Sequence, residues 1–464
     1  MRTFEIILVV LACLSAFAAI ARNTSKRSRC FLGLVDIGAL LIHLVIEGAH
    51  WQIIPVYGAF LIFVSILLAR WSRLRAMGGW AMLLLTFSAC CFVAVVPIFR
   101  LPKPTGTSLI GTQILHFFKS SSSAQQKTRE LVVQLWYPAA PSRDAYAPYR
   151  RRAETTLKSS YQSVLKTHSR WNAAVATGNQ EFPILLFNPS WTGRRTQNTY
   201  LTEDLASHGY VVVGIDHPGN SGPIALLNGQ VLQPVAELDL DFRTKTLQEI
   251  ESLAEEELSK ETEDTLFVLD QMERLNEDSS SPFFHRLDTR SVGAFGHSFG
   301  GAVAAEACLQ DSRIESALVL SGSLFGRVQR EGLPKMIMML EEDPPQFSES
   351  ELQRSNEARI DDALDIGDDE VAQRSPGYRI FLHGSSHTGF TDHSLFSNFE
   401  SLTGGGKTPP YRQFSIIRAY AVAFFDKTLR GIESPILAPG AHPFPEASFK
   451  VLPNGRSSAP LTAP

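Results

Sequence analysis

The residues Gly296-His297-Ser298-Phe299-Gly300 form a short G-x-S-x-G motif that could present a nucleophilic serine hydroxyl. The apolar run before the motif predicts a strand, and the small-residue run after it predicts a helix. Ser298 would then lie in a tight strand-to-helix turn, where Gly296 and Gly300 remove side chains that would collide. The helix N-terminus adds positive dipole beside the hydroxyl. The alternative is a serine in a glycine-rich structural turn.

A serine hydroxyl is a weak nucleophile unless a base takes its proton. His387, in the stretch "FLHGSSHTGFTD", follows the last predicted strand, Tyr378 to Leu382. It also comes after Ser298, which is the chain order expected for this kind of elbow. His387 is therefore the predicted base.

Two backbone N–H groups must bind the oxyanion that forms during acyl transfer. Phe299, directly after the serine, is expected to supply one of them. The loop Asn188-Pro189-Ser190-Trp191, after the apolar run "FPILLF", is expected to supply the other from Trp191. The Trp191 side chain could equally be an apolar wall.

The elements around these residues favour an α/β fold. Apolar strand candidates alternate with helical stretches, which predicts a mainly parallel sheet with helices on both faces. A leading hairpin precedes them. We expect this domain to cover residues 101–437 and a Pro-rich, extended or poorly ordered tail to cover 438–464.

The first hundred residues carry four apolar runs, each about the length that a helix needs to cross a bilayer. The runs are Phe4 to Ala21, Phe31 to Ala49, Ile53 to Ala69 and Trp80 to Phe99. They predict a four-helix transmembrane region over 1–100. Basic residues lie between the first and second runs and between the third and fourth, so the rest of the chain is expected on the extracytoplasmic side. The alternative is that the first run is a cleaved signal peptide.

The second apolar run contains Asp36, His43 and Glu47 on one helical face, followed by His50. Ionisable groups inside a span face protein or water. They could line a proton or ion path, or make polar contacts within the helix bundle.

The composition of the chain limits the classes of partner and cofactor that we expect. The chain has 464 residues and a formal net charge of -4, which argues against nucleic acid as a partner. Cys308 is the one cysteine outside the N-terminal region, so a disulfide framework is not expected in the remainder. The sequence carries no metal-ligand cluster, phosphate loop or dinucleotide fingerprint, and we expect neither a cofactor nor a metal.

These motifs, taken in order, resemble the α/β-hydrolase family of the plasma-type platelet-activating factor acetylhydrolases and their bacterial relatives, which implies the α/β-hydrolase fold. The matching stretches are "PTGTSLIGT", "RELVVQLWYPA", "DLASHGYVVVGIDHP", "GHSFGG", "GSSHTGFTD" and "AFFDKTLRG". The resemblance implies a cofactor-free serine esterase acting on short or modified acyl esters, including phospholipid acyl groups. It also implies a nucleophile at Ser298, a base at His387 and oxyanion donors at Trp191 and Phe299.

The chain departs from that family at the expected acid. The resemblance implies an aspartate after the strand that reads "ALVLSGSLFG", and Ser321 stands in that place. A serine cannot balance the charge of the imidazolium that forms on the base. The next predicted strand ends in Glu341-Glu342-Asp343, and Asp343 best fits the spacing of a replacement acid, with Glu342 as the alternative. A second departure is Pro189-Ser190, which replaces the usual His-Gly of the oxyanion loop.

The sequence therefore predicts a multi-pass membrane protein whose extracytoplasmic domain is a carboxylesterase-like or lipase-like serine hydrolase. An ester, including a lipid ester, would be its substrate. Acyl transfer to an acceptor other than water would use the same chemistry. The missing acid also leaves open a non-catalytic binding or sensing domain.

Overall fold

A computed structural model gives the fold. The structure describes residues 1–21, 23–68, 72–120, 129–235 and 240–453. These residues divide into two compact units. The first unit comprises Met1–Arg100, Pro148–Thr167 and Leu395–Thr403, and the second holds the other described residues.

Four apolar helices build the first unit. They are α1 (Thr3–Ile20), α2 (Lys26–Ile46), α3 (Ile54–Leu68) and α4 (Ser72–Val95). By length and composition α1, α2 and α4 could cross a membrane, whereas the third is a shorter apolar helix, Trp51–Leu67. A helix of about 17 residues is about 25 Å long, less than the roughly 30 Å hydrocarbon core. Of the four predicted membrane helices, three are thus long enough to cross a bilayer and the third along the chain is shorter. Arg22 and Arg70, two of the basic residues between the predicted runs, lie outside the described residues.

The polar side chains of α2 are paired inside the first unit. The Ser15 hydroxyl donates to Asp36 at 2.8 Å. The two ring nitrogens of His43 lie 2.7 Å from the Tyr57 hydroxyl and 3.1 Å from the Glu47 carboxylate. Asp36, His43 and Glu47 therefore each contact a polar partner of the protein, although Oδ1 of Asp36 is buried without one.

A single large sheet organises the second unit. Its strands are β1 (Leu109–Lys119), β2 (Arg129–Ala139), β3 (Tyr146–Pro148), β4 (Lys166–Trp171), β5 (Phe182–Asn188), β6 (Val211–Asp216), β9 (Leu287–His297), β10 (Ile314–Leu320), β11 (Met336–Glu342), β12 (Gly377–Leu382) and β13 (Ala447–Leu452). A separate small ribbon joins β7 (Ile224–Ala225) and β8 (Val231–Leu232). The order in the large sheet is β13-β12-β11-β10-β9-β5-β6-β2-β1-β4-β3.

The centre of this sheet is parallel, because β5 pairs parallel with β6 and β9, and β9, β10, β11 and β12 follow in parallel register. Parallel strands put their carboxyl ends at one edge, where ligand sites of such folds form. The expected leading hairpin is the antiparallel pair β1 and β2. Inside the predicted Pro-rich tail, β13 pairs antiparallel with β12, so the sheet extends past residue 437. Residues 454–464 of that tail lie outside the described residues.

Helices cover both faces of the sheet. They are α5 (Thr199–Ser207), α6 (Leu247–Glu277), α7 (Phe299–Gln310), α8 (Gly326–Glu331), α9 (Glu349–Arg354), α10 (Asn356–Arg374) and α12 (Pro410–Arg430), whereas α11 (Glu400–Thr403) belongs to the first unit. Successive side chains of β9 point alternately to the helices on one face of the sheet and to those on the other. Val292 and Ala294 join the core that contains α6 and α7, whereas Phe295 packs on Phe425 of α12, with ring centroids 6.0 Å apart. The expected α/β architecture is confirmed.

Candidate active site

Ser298 lies between the end of β9 and the first residue of α7. Its backbone is in the left-handed region, with φ at 55°. A Cβ at Gly296 would lie 2.1 Å from the Gly300 carbonyl group, and one at Gly300 would lie 2.2 Å from the Asn188 oxygen. No side chain fits at either glycine, so the tight turn requires both of them.

His387 opens a short helical turn, His387–Phe390, after β12. Its backbone oxygen accepts a hydrogen bond at 2.8 Å from Nε2 of His297, the residue before the nucleophile. The two imidazole centroids are 4.6 Å apart. The fold thus brings His387 to the same edge of the sheet as Ser298, and 51% of its side chain is exposed there.

Ser321 lies at the end of β10, beside the nucleophile. A Cβ on its neighbour Gly322 would lie 2.8 Å from Cα of Ser298. The Ser321 hydroxyl oxygen is 2.8 Å from Nδ1 of His387. Ser321 therefore occupies the place of the expected aspartate in space as well as in sequence, and it contacts the predicted base directly.

The carboxylate of Glu342, from the next strand, also lies near Nδ1 of His387. Oε1 of Glu342, the last residue of β11, lies 3.7 Å from Nδ1 of His387. Burial opposes ionisation of Glu342, but the neighbouring His387 and Ser321 outweigh it and lower the pKa of the carboxyl. The Ser321 hydroxyl can donate to this carboxylate while its oxygen accepts the Nδ1–H of His387. An imidazolium on His387 would thus have both a hydrogen-bond acceptor and a counter-charge.

The structure does not bring Asp343 to His387. Its carboxylate lies 2.5 Å from Nδ1 of His383 and accepts the Gly384 N–H at 3.2 Å. Neighbouring residues along a strand direct their side chains to opposite sides, and Asp343 directly follows Glu342 at the strand end. The structure therefore places Asp343, the preferred acid of the sequence analysis, against His383, and places Glu342, its alternative, nearer to His387.

The loop after β5 reaches the elbow through Trp191. Its ring makes an edge-on contact with the ring of Phe299, with centroids 4.7 Å apart. Phe299 is the first residue of α7. The N–H groups of a first helical turn have no acceptor within the helix and point out of its N-terminal end. The two residues expected to supply the oxyanion donors are thus adjacent.

Hydrogen bonds fix the shape of this loop. Thr192 has a φ of 54°, and its N–H donates to Asn220 at 2.8 Å. The N–H of Ser190 donates to Oε1 of Gln197 at 3.0 Å. The loop, in which Pro189-Ser190 replaces the His-Gly of the family that this sequence resembles, is therefore held by the side chains of Asn220 and Gln197.

Beneath the loop lies a buried histidine, His217. Its Nε2 is 3.1 Å from Oδ1 of Asn188, the last residue of β5. Burial opposes protonation of His217, but Glu261 and Asp264 outweigh it and raise the pKa of the imidazole. His217 anchors the start of the oxyanion loop and lies away from the nucleophile's partners.

Two contributors to the site were not predicted from sequence. His297 is buried within the motif itself, and Nδ1 of its ring lies 3.0 Å from Nε2 of Gln197. Burial and the neighbouring His387 lower the pKa of His297 to about 3. The position of His297 next to Ser298 was a signal of proximity, but nothing in the sequence linked Gln197 to it.

A metal site needs clustered ligands. Within the described ranges, no group of three or more His, Cys, Asp or Glu side chains is arranged to hold a metal ion.

A serine on a strained elbow, a histidine after the last parallel strand and a carboxylate at a strand end define an α/β-hydrolase. The family model described as platelet-activating factor acetylhydrolase, isoform II, matches residues 105–433. The chain belongs to this family, as the resemblance of its motifs implied.

Individual relatives match over shorter stretches. A probable 1-alkyl-2-acetylglycerophosphocholine esterase of Arthroderma benhamiae is 27% identical over 155 residues, covering 33% of this chain and 35% of the relative. A platelet-activating factor acetylhydrolase of Cavia porcellus is 28% identical over 185 residues, covering 36% and 41%. Each match thus spans less than half of the relative. A solved ferulic acid esterase from Streptomyces cinnamoneus has a TM-score of 0.62 at 26% identity and covers 75% of this chain and 98% of its own.

Proposed function

We propose that the protein is a membrane-anchored serine hydrolase that cleaves carboxylic esters, with short or modified acyl esters, including those of phospholipids, as its substrates. The observation that carries the proposal is the contact of His387 with both Ser321 and Glu342, next to the elbow of Ser298. Family membership and the printed names of the two relatives support the substrate class.

In the first half of the reaction, Oγ of Ser298 attacks the ester carbonyl carbon, and Nε2 of His387 takes the hydroxyl proton. Glu342 and Ser321 stabilise the resulting imidazolium through Nδ1. The backbone N–H groups of Phe299 and Trp191 bind the oxyanion. When the carbon–oxygen bond to the leaving alcohol breaks, His387 returns the proton to that alcohol.

In the second half, water attacks the acyl-enzyme. His387 takes a proton from the water, the bond between the acyl carbon and Ser298 Oγ breaks, and the proton returns to the serine. The carboxylic acid then leaves. The carboxylate contributed by Glu342 weakens the case for a non-catalytic domain, which rested on the missing aspartate.

Activity-based labelling tests the proposal. Full-length protein in detergent micelles should react with a fluorophosphonate and hydrolyse p-nitrophenyl acetate, whereas Ser298→Ala should do neither. Ser280→Ala, at an exposed serine of the same unit, is the matched control and should behave as the unmodified protein. Release of acetate from 1-alkyl-2-acetylglycerophosphocholine, compared with release of a long acyl chain, tests the substrate class. Labelling that survives in Ser298→Ala would contradict the assignment of the nucleophile.

The membrane orientation has its own test. The helices α1, α2 and α4 support anchoring, and the basic residues between the helices support an extracytoplasmic hydrolase unit. After replacement of the five cysteines by serine, Ser280→Cys should react with a membrane-impermeant maleimide on intact cells. Ser25→Cys, at the start of α2, should react only after permeabilisation. The reverse pattern would place the hydrolase unit in the cytoplasm.

A further inference from the structure

A chain of hydrogen bonds passes beneath the nucleophile and joins two loops of the candidate site. The His387 backbone oxygen accepts from Nε2 of His297 at 2.8 Å. Nδ1 of His297 lies 3.0 Å from Nε2 of Gln197, and Oε1 of Gln197 accepts the Ser190 N–H at 3.0 Å. This series of hydrogen bonds thus begins in the loop that carries the predicted base and ends in the oxyanion loop.

The two backbone groups at the ends of this series, the His387 oxygen and the Ser190 N–H, fix the direction of every hydrogen bond in it. A backbone carbonyl only accepts, so Nε2 of His297 must carry a proton. A backbone N–H only donates, so Ser190 must bond to the oxygen of Gln197, which leaves the Gln197 amide nitrogen as donor to His297. Nδ1 of His297 must then be an unprotonated acceptor. The arrangement therefore needs the neutral Nε2–H tautomer of His297.

The surroundings keep His297 in that form. The side chain is 2% exposed, and burial together with His387 lowers its pKa to about 3. A proton on Nδ1 would break the bond from Gln197. It would also place a second positive charge beside the imidazolium that forms on His387 during the reaction, with the rings 4.6 Å apart.

Neighbouring contacts tie the same two segments together. The side-chain amide of Asn198 donates to the Phe390 oxygen at 2.7 Å. The Thr199 N–H, at the start of α5, donates to the fully buried Asp392 carboxylate at 2.7 Å. A carboxylate at a helix N-terminus is stabilised by the helix dipole. The residues after His387 are therefore anchored to the start of α5, directly after Gln197.

We propose that His297 and Gln197 are positioning residues that hold the loop of the base and the oxyanion loop in one fixed relation to Ser298. The inference rests on the proposed hydrolase function. Neither side chain is placed against the substrate. Their effect passes through the backbone at His387 and Ser190, so they set the distance and angle between the base, the nucleophile and the oxyanion donors.

Substitution of Gln197 gives the first test. Gln197→Met keeps the length of the side chain and removes its hydrogen bonds with His297 and with the N–H and hydroxyl of Ser190. In full-length protein we expect kcat for p-nitrophenyl acetate to fall about 10- to 100-fold, as small misplacements of catalytic groups do, with KM within about threefold. Gln134→Met is the matched control, because Gln134 is a buried glutamine whose amide donates to Thr112 in the β1–β2 hairpin. It should lose no more than about twofold in kcat.

Substitution of His297 separates positioning from packing. His297→Gln retains an N–H donor for the His387 oxygen, whereas His297→Leu fills similar space without one. We expect His297→Gln to keep about tenfold more kcat than His297→Leu. A residue that only fills the core would give the opposite order. Equal kcat losses in Gln197→Met and Gln134→Met, or a His297→Leu variant as active as His297→Gln, would overturn the proposal.

A spectroscopic measurement keeps this test separate from the hydrolase function. In protein labelled with ¹⁵N-histidine, the His297 resonance should show the neutral Nε2–H tautomer from about pH 5 to about pH 8. Gln197→Met should leave this tautomer in place, because the His387 oxygen still accepts from Nε2, but it should shift the Nδ1 resonance, which loses its hydrogen-bond donor. Gln134→Met should not shift it, and an unchanged Nδ1 resonance in Gln197→Met would contradict the bridge even in an active enzyme. If the protein hydrolysed no ester, the Nδ1 resonance would still report on the bridge, and the hydrolase function alone would fail.

Discussion

The hydroxyl oxygen of Ser321 lies 2.8 Å from Nδ1 of His387, at the end of the strand where the family resemblance implied an aspartate. The Glu342 carboxylate lies 3.7 Å from the same nitrogen and belongs to the next strand of the sheet. If His387 is the base, the charge and the direct hydrogen bond to it are thus supplied by two residues instead of one.

Glu342→Gln should therefore lower kcat by about 10³-fold, since the imidazolium on His387 loses its counter-charge. The adjacent Asp343→Asn is a matched control, because it removes a carboxylate that contacts His383 instead. Its kcat should stay within about twofold of the unmodified protein. Steady-state turnover of p-nitrophenyl acetate by both variants checks the assignment. A large loss in Asp343→Asn with none in Glu342→Gln would reverse it.

Ser321→Asp should rescue the Glu342→Gln variant. Ser321 has a φ of 46°, a conformation that aspartate tolerates better than most residues, and its hydroxyl already contacts His387. We expect the double variant to recover at least about tenfold of the lost kcat.

Ser321→Asp alone should show less benefit, because two neighbouring carboxylates raise the pKa of one of them. The double variant and both single variants are compared by kcat and by the rate of fluorophosphonate labelling. A double variant no faster than Glu342→Gln would mean that the Ser321 position cannot hold the acid.

The run Glu341-Glu342-Asp343 illustrates what the sequence could and could not predict. It predicted acidic residues at the end of a strand beside the base. It could not say which one faces the base, because the side chains of neighbouring strand residues point to opposite sides. In the structure Glu341 contacts Arg379, Glu342 faces His387 and Asp343 contacts His383.

The parallel strands were predictable because each is a short apolar run buried on both faces, as β5 and β6 are throughout their lengths. β13 was not, since proline and polar residues surround it and its pairing with β12 depends on residues about 70 positions away. The contact of Gln197 with His297 spans 100 residues and uses side chains without a motif. Such contacts follow from tertiary packing alone.

Gly300→Ala should disrupt the elbow. A Cβ at this position would lie 2.2 Å from the Asn188 oxygen and 2.3 Å from the Pro189 oxygen, both of them backbone atoms of the oxyanion loop. The loop must move away, and we expect a loss of at least about 10²-fold in kcat.

Gly367→Ala is the control for this change. Gly367 lies within α10, and its added Cβ would meet only the flexible Gln329 side chain, at 3.2 Å. Alanine favours a helix over glycine by about 1 kcal/mol, so activity should be kept and thermal stability kept or raised. Turnover and the melting temperature of both variants are measured together. Full activity in Gly300→Ala would show that the oxyanion loop is not held against the elbow.

The buried imidazole of His297 should make the protein less stable in acid. Its pKa is lowered from 6.5 to about 3, so the unfolded chain binds a proton that the folded protein does not between those pH values. The free energy of unfolding must then fall as the pH falls through this window, by about 2 kcal/mol between about pH 7.5 and about pH 5. Denaturant unfolding of full-length protein in micelles, compared with His297→Gln, isolates this contribution because the other titrating groups are shared. Between these pH values the free energy of unfolding of His297→Gln should fall by about 2 kcal/mol less than that of the unmodified protein. If the two proteins lost the same free energy of unfolding, His297 would be protonated in the folded protein.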